Sequence, residues 1–259
     1  MASGSTMIAP GAGVALVSLF DVDGTLLIDQ TAELARTLCD EGAASVLVAG
    51  TAGEFWSLSD DERVALVVSV RLAIPNVPIF GHAGGVGAER AAQLTKRLVD
   101  AGANAILALP VGIDDLFAYY GALIDAAADT PVLAYHLPRR GTPIPVEDLN
   151  DMGVSAIKDS SGDGMRLAQE ILSLDFETYT GAPPLLGVAR QFGGAGSITG
   201  VANVRPEWSA LAWAGDEDAL VNVSKLHIKT SQTFPVELKR AVAARWGVPH
   251  FSRADDWKT

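Results

Sequence analysis

Short apolar segments alternate along this chain with longer segments of helical periodicity, and the alternation repeats eight times. The apolar segments predict β-strands over residues 14–19, 45–49, 77–80, 104–109, 131–135, 154–157, 176–179 and 196–199. The longer segments predict helices over residues 30–41, 59–73, 87–101, 113–128, 145–151, 163–173, 183–192 and 205–213. Eight such units with no break in composition favour an α/β fold, a closed (β/α)₈ TIM barrel, over an open doubly wound sheet.

Two further helical segments, at about 216–230 and 235–246, follow the eighth unit. We therefore expect residues 1–213 to form the barrel and residues 214–259 to form a short C-terminal helical extension of the same domain. The sequence shows no linker and no low-complexity stretch that would separate a second domain.

The net charge of −12 over 259 residues changes the set of expected partners. An acidic surface repels phosphate backbones and anionic lipid, so the chain is not expected to bind nucleic acid or a membrane. A pocket can still be locally basic and take a small anionic substrate. The single cysteine, Cys39, allows no intrachain disulfide, and the first ten residues lack the basic and apolar regions of a signal peptide. The chain is interpreted as cytoplasmic.

Candidate chemistry lies at the ends of two predicted strands. Active sites of such barrels lie at the carboxyl ends of the strands. Lys158 directly follows the sixth strand, and apolar surroundings there favour the neutral amine that attacks a carbonyl. The alternative is a lysine that pairs with Asp159 or reaches solvent. Tyr135 ends the fifth strand and is either a proton shuttle or a core tyrosine.

Two further segments offer groups that bind anions. The segment Gly50-Thr51-Ala52-Gly53 leaves the second strand with little side-chain bulk, so its backbone N–H groups and the Thr51 hydroxyl can bind a carboxylate. Arg140, beyond the fifth strand, can hold a second carboxylate through two hydrogen bonds. Each segment is also compatible with an ordinary surface loop.

Four segments, in order along the chain, resemble the dihydrodipicolinate synthase / N-acetylneuraminate lyase family of class I aldolases. They read GTAGEFWSLSDDER (50–63), AYHLPRR (134–140), AIKDSSGD (156–163) and TGAPPLLGVARQFGGAGSITGVANVRPE (180–207). The resemblance extends from Phe20 to Gly247. The four matches together are more specific than any one of them, because they occur in order and each falls at a predicted strand end.

The resemblance implies a role for seven residues. It makes Lys158 the lysine that forms a Schiff base with a 2-keto acid and Tyr135 the proton relay. The remaining residues would bind substrate: Thr51 and Ala52 at the keto-acid carboxylate, Arg140 at the distal end, and Gly181 and Ile198 along the pocket wall. It also implies a homo-oligomer, a dimer or tetramer, and chemistry that needs neither a metal nor another cofactor.

Two departures from the family pattern bear on the reaction. Ala52 stands where the family signature has a second threonine, and residues 110–112 read Pro-Val-Gly where the family commonly has Pro-Tyr-Tyr. Both changes remove hydroxyl groups of the synthase relay. We therefore expect cleavage of a 2-keto-3-deoxy sugar acid, with dihydrodipicolinate synthesis from pyruvate and aspartate semialdehyde as the alternative.

Two other functions remain open from the sequence. The segment FDVDGTL (20–26) resembles the motif of haloacid-dehalogenase-type phosphatases, in which Asp21 would be the nucleophile and Mg²⁺ the cofactor. That fold is an open sheet, which the eight repeated units disfavour. A barrel that binds a keto acid without turning it over is the other alternative. The two missing hydroxyls leave it open, whereas Lys158 and Tyr135 argue against it, because a protein that only binds needs neither.

Overall fold

The computed structural model describes residues 8–253, whose eight parallel strands form one closed barrel in the order β1 to β8. Each strand pairs with the next along the chain, and β8 pairs with β1. This confirms the predicted (β/α)₈ TIM barrel. The strands are β1 Gly11–Ala15, β2 Val46–Val48, β3 Ile79–His82, β4 Ala105–Ala108, β5 Val132–His136, β6 Ala156–Asp159, β7 Glu177–Thr180 and β8 Gly196–Thr199.

The helices of the described residues surround the barrel and continue into the predicted extension. They are α1 Ile28–Asp40, α2 Asp60–Ala73, α3 Ala88–Asp100, α4 Leu116–Ala127, α5 Gly164–Ser173, α6 Leu186–Phe192, α7 Pro206–Ala214, α8 Glu217–Thr230 and α9 Val236–Trp246. Ser59 and Glu62 form a capping box at the start of α2. Asp163 caps α5 by accepting two backbone N–H groups. Such caps each stabilise a helix by roughly 0.5–2 kcal/mol.

The helix predicted over residues 145–151 is wrong. This segment connects β5 to β6 through consecutive turns, and the N–H of Met152 donates to the carbonyl of Asp148 at 3.2 Å. Leu149 and Met152 are buried, which explains the apolar spacing that suggested a helix.

The first strand lies earlier than predicted. The apolar run 14–19 continues past β1, but its second half leaves the ladder. The N–H of Val17 donates to Oδ1 of Asn203 at 3.0 Å, and that of Leu19 donates to Oγ1 of Thr31 at 3.1 Å. Side chains therefore satisfy this buried backbone in place of a neighbouring strand.

The acidic segment 20–26 forms the turn before α1. Oδ1 of Asp21 accepts the N–H groups of Asp23 at 3.0 Å and Thr25 at 2.7 Å, and Phe20 forms an antiparallel bridge with Leu26. Since the sheet is closed, the open-sheet phosphatase alternative is wrong. Among residues 8–253, no three histidine, cysteine or acidic side chains are grouped as a metal site. No helix in that part of the chain is both long and apolar enough to span a bilayer.

Aromatic rings fill the amino-terminal half of the barrel. Phe80 of β3 and Tyr179 of β7 meet edge to face, with ring centroids 5.9 Å apart. The Tyr179 hydroxyl donates to Glu177 at 2.6 Å and accepts the N–H of Ala9 at 3.1 Å. A Cβ at Gly196 would lie 3.1 Å from the Tyr179 ring. Through Glu177 and Ala9, this layer is tied to the segments that precede β1 and begin β7, away from the loops that follow the strands.

Candidate active site

A cavity of about 510 Å³ occupies the carboxyl-terminal mouth of the barrel. All seven residues selected from the sequence line it: Thr51, Ala52, Tyr135, Arg140, Lys158, Gly181 and Ile198. They come from five of the strands or the loops that follow them. The fold thus brings together residues that are far apart in sequence.

Lys158 and Tyr135 are direct neighbours. They are register partners on β6 and β5, so their side chains project on the same side of the sheet. Each is only 2% exposed, and the Lys158 amine lies 4.4 Å from the centroid of the Tyr135 ring. The amine is therefore fixed against an aromatic face and shielded from bulk water.

The Tyr135 hydroxyl links the lysine to the loop after β2. It lies 3.1 Å from Oγ1 of Thr51 in a hydrogen bond that either group can donate. Burial raises the pKa of Tyr135, but the charge of Lys158 and hydrogen bonds with Thr51, Ser160 and Lys158 outweigh it, so the pKa lies below its usual value. Tyr135 is thus a better proton donor than an ordinary buried tyrosine.

The loop of residues 50–54 is a tight turn that residues of the C-terminal extension contact. The N–H of Gly53 donates to the carbonyl of Gly50 at 3.1 Å, and Glu54 adopts a left-handed conformation with φ 55°. The carboxylate of Glu54 forms a fully buried ion pair with Lys239 of α9 and accepts the backbone N–H of Arg253 at 3.1 Å. The C-terminal extension therefore holds the conformation of a loop that lines the cavity.

Gly181 leaves the room that the lysine needs. A Cβ at this position would lie 1.8 Å from Oγ of Ser160 and 3.1 Å from Cε of Lys158. Ser160 also lines the cavity, and the sequence reasoning missed it. The signal was present, because residues two apart on an extended strand project to the same side, and Ser160 is two positions beyond Lys158.

Arginine and histidine side chains lie along the outer part of the cavity. The guanidinium of Arg140 is 5.3 Å from the ring of Trp56 and 5.8 Å from that of Phe234, so two aromatic rings hold it. Arg139 and His227 also line the cavity. The sequence reasoning missed His227, which lies on α8 of the extension, where no motif marks it.

His82 packs behind Lys158 and Tyr135 without lining the cavity. It is fully buried at the end of β3, with ring centroids 4.6 Å from Phe55 and 6.2 Å from Tyr135. Burial, with the charges of Arg63 and Lys158, holds its pKa well below the usual value. The ring is therefore neutral and acts as packing that fixes the position of the Tyr135 ring.

Comparison with known proteins identifies relatives of this chain. Residues 10–241 match the model of the dihydrodipicolinate synthetase family. A 4-hydroxy-tetrahydrodipicolinate synthase from Corynebacterium aurimucosum is 30% identical over 230 residues, which cover 84% of this chain and 76% of that protein.

Solved structures share the fold at lower identity. A prophage protein of the dihydrodipicolinic acid synthase family from E. coli K12, in complex with pyruvate, superposes with a TM-score of 0.87 at 21% identity, covering 94% of this chain and 91% of that one. A 2-keto 3-deoxygluconate aldolase from Picrophilus torridus gives a TM-score of 0.84 at 20% identity, covering 96% and 98%. These similarities support the same barrel and the same C-terminal helices.

Proposed function

Because this chain belongs to the dihydrodipicolinate synthetase family of lyases, we propose that Lys158 forms a Schiff base with a 2-keto acid and that the protein cleaves a 2-keto-3-deoxy sugar acid to pyruvate and an aldehyde. One observation carries the proposal. The buried Lys158 amine lies against Tyr135, whose hydroxyl is hydrogen-bonded to Thr51. That arrangement supports the assignment of the nucleophile to Lys158 and of the proton relay to Tyr135.

Lys158 and Tyr135 each carry out a separate step of the proposed reaction. The amine of Lys158, once it has lost its proton, attacks the C2 carbonyl, and Tyr135 protonates the carbinolamine oxygen so that it leaves as water. The protonated imine then accepts the electron pair of the C3–C4 bond as the C4 hydroxyl loses its proton, which releases the aldehyde. Protonation of the resulting enamine at C3 and hydrolysis of the imine release pyruvate and regenerate the amine.

The loop after β2 provides the carboxylate subsite in this proposal. The N–H groups of Gly53, Glu54 and Phe55 close the turn internally. The backbone N–H groups of Thr51 and Ala52 are then the ones assigned to the substrate carboxylate. Such binding orients C2 toward Lys158, and most of its contribution to the reaction rate comes from that orientation.

The preference for cleavage over synthesis rests on missing hydroxyls. Ala52 has no hydroxyl, and the residue after Pro110 is Val111. Acid–base groups typically contribute about 10²–10⁴-fold each, so a synthase relay without them would be slow. The name of the Corynebacterium relative supports the alternative, condensation of pyruvate with aspartate semialdehyde.

Borohydride trapping tests the central step. With pyruvate present, reduction is expected to add a lactyl-sized mass to the peptide that contains Lys158, and Lys158→Arg abolishes it. Lys96→Arg, an exchange at an exposed lysine of α3, is the matched control and leaves the adduct unchanged. An adduct that persists in Lys158→Arg contradicts the assignment.

Rates on two substrates then decide the reaction. Pyruvate release from 2-keto-3-deoxygluconate is expected to exceed condensation of pyruvate with aspartate semialdehyde under the same conditions. Condensation faster by an order of magnitude would favour the synthase instead. Thermal stabilisation by pyruvate with neither reaction would favour a barrel that only binds keto acids.

A further inference from the structure

The last residues that the structure describes lie against the loops that follow β1 and β2. Residues 248–253, which we call the C-terminal strap, follow α9 and contact the segment after β1, where Phe251 forms an antiparallel bridge with Phe20. The carbonyl of Phe251 accepts a hydrogen bond from Nζ of Lys239 at 2.9 Å. The strap is therefore held against both α9 and the segment that follows β1.

The side chain of Arg253 joins three segments at the end of the strap. Its Nε donates to the carbonyl of Gly24 at 2.7 Å, and Nη1 donates to the carbonyl of Ser57 at 2.9 Å. Nη1 and Nη2 also donate to the carboxylate of Glu62, at 2.9 Å and 2.6 Å. Because a guanidinium presents its N–H groups in a fixed planar arrangement, this one side chain fixes the loops after β1 and β2 and the first turn of α2 relative to one another.

The backbone of Arg253 reaches the loop that lines the cavity. Its N–H donates to Oε2 of Glu54 at 3.1 Å, and the other carboxylate oxygen of Glu54 pairs with Lys239. In the same loop, the carbonyl of Gly53 accepts a hydrogen bond from the hydroxyl of Ser18 at 2.8 Å. The loop after β2 is therefore held by two segments, the strap and the run that continues from β1.

The contacts of the Arg253 side chain are the ones that open most readily. The side chains of Arg253 and Glu62 are 23% and 27% exposed, whereas those of Lys239 and Glu54 are 0% exposed. Breaking an ion pair at the surface costs little, because water replaces the lost partner, whereas breaking a fully buried one leaves a charge unpaired. The end of the strap can therefore detach while the ion pair between Lys239 and Glu54 stays intact.

We propose that Arg253 is a positioning residue for the substrate carboxylate: the docked strap keeps the loop after β2 in the conformation that binds the carboxylate, and a bound keto acid in turn keeps the strap docked. The inference rests on the proposed function, which assigns the carboxylate to the backbone N–H groups of Thr51 and Ala52. Arg253 does not line the cavity, so it acts through the loop and not on the substrate. The effect is reciprocal, because coupling between two binding events changes both affinities by the same factor.

The dependence of borohydride trapping on pyruvate concentration tests the proposal. Arg253→Gln is expected to raise the half-saturating pyruvate concentration about 10-fold and to leave the maximal trapping rate within about 2-fold, since Lys158 and Tyr135 are unchanged. Arg253→Lys is expected to give an intermediate value, because an ammonium group keeps the charge beside Glu62 but lacks the planar arrangement of donors. A half-saturating concentration in Arg253→Gln equal to that of the unmodified chain overturns the proposal, and so does a loss confined to the maximal rate.

Further variants show whether the effect passes through the contacts of Arg253. Glu62→Gln keeps a side chain that can cap α2 but removes the charge that faces Arg253, so we expect the half-saturating concentration to rise here too. Combined with Arg253→Gln it is expected to add nothing, because both changes break the same ion pair. Arg245→Gln, at a cation of α9 that contacts Glu207, is the matched control and leaves the half-saturating concentration unchanged. Should Arg253→Gln not fold, the value in Glu62→Gln decides instead.

Limited digestion with trypsin follows the strap directly. Cleavage after Arg253 requires its side chain to leave Gly24, Ser57 and Glu62, so the fragment that ends at Arg253 forms only when the strap is undocked. Saturating pyruvate is expected to slow the formation of this fragment about 10-fold. Lactate, which has the carboxylate but no carbonyl, is expected to slow it as well, whereas acetone, which has the carbonyl but no carboxylate, is not. Equal rates with and without pyruvate and lactate overturn the proposal.

These measurements separate the positioning role from the proposed function. Protection of the strap by pyruvate and lactate, with no adduct at Lys158, supports the positioning role and refutes the Schiff base. An adduct at Lys158, with neither protection nor a shift of the half-saturating concentration in Arg253→Gln, refutes the positioning role alone.

Discussion

Replacing Gly181 with alanine tests whether the position of the Lys158 side chain limits the rate. The new methyl group would lie 3.1 Å from Cε of Lys158 and 1.8 Å from Oγ of Ser160. Ser160 must move as well, because its Cβ would lie 3.0 Å from the new methyl group, and rotation of its hydroxyl breaks the hydrogen bond with Tyr135. The lysine methylene is confined between this wall and the Tyr135 ring. The substitution therefore displaces the amine while every functional group of Lys158 and Tyr135 stays present.

The size of the effect follows from the contact distance. Carbon atoms pack best at about 3.5–4.0 Å, so Lys158 must move by roughly 0.5 Å or more. Misplacing a reacting group by about 1 Å can cost about 10²-fold. We expect Gly181→Ala to lower kcat by about 10- to 100-fold and to lower the free energy of unfolding by about 1–3 kcal/mol through overpacking.

Two assays and one control variant separate these effects. The rate of borohydride-trapped adduct with pyruvate reports imine formation, and a urea titration reports the free energy of unfolding. Gly121→Ala in α4 is the control, because a Cβ there meets nothing within 4 Å. It is expected to keep full activity and to gain about 0.5–1 kcal/mol from helix propensity. Wild-type trapping and cleavage rates in Gly181→Ala would refute the reasoning.

Two further predictions concern buried charges. Lys239→Met leaves the buried Glu54 carboxylate without its cation, so we expect a loss of about 3–5 kcal/mol in a urea titration, against no more than about 1 kcal/mol for Arg240→Gln at an exposed ion pair; equal losses would contradict this. Burial and the charge of Asp159 raise the pKa of Glu170 to about 8. The folded state then holds a proton that the unfolded state has lost, so this contribution to stability is present at low pH and disappears as the pH rises through about 8. The urea midpoint is expected to fall more between pH 6 and 9 in the unmodified chain than in Glu170→Gln, and identical slopes would count against the assignment.

The alternation of apolar runs and helical periods predicted the barrel because each strand and each helix buries one pattern of side chains. It failed where burial had another cause. Val17 and Leu19 are buried outside the sheet, and their N–H groups are hydrogen-bonded to side chains. The apolar run 14–19 was therefore predicted as a strand over its whole length. The segment 145–151 buries Leu149 and Met152 through turns.

The candidate site was predictable only where it is local in sequence. Lys158 and Tyr135 follow from strand ends and from the resemblance, and Ser160 follows from strand alternation. His227 enters the cavity from a helix beyond the eighth unit, and its place depends on how α8 packs against the barrel. No local pattern encodes that packing. The ion pair between Lys239 and Glu54 depends on the same long-range packing.

The ion pair between Lys239 and Glu54 makes the final shape of the loop after β2 depend on a segment that is synthesised much later. The loop after β2 leaves the ribosome early, whereas Lys239 on α9 is made only after all eight strands. Until α9 docks, the Glu54 carboxylate lacks the ammonium group of Lys239, which helps to hold the left-handed backbone at this position. A nascent barrel can thus complete its sheet before the loop after β2 reaches its final conformation. Under the proposed function, Lys158 would react productively with keto acids only after α9 has docked.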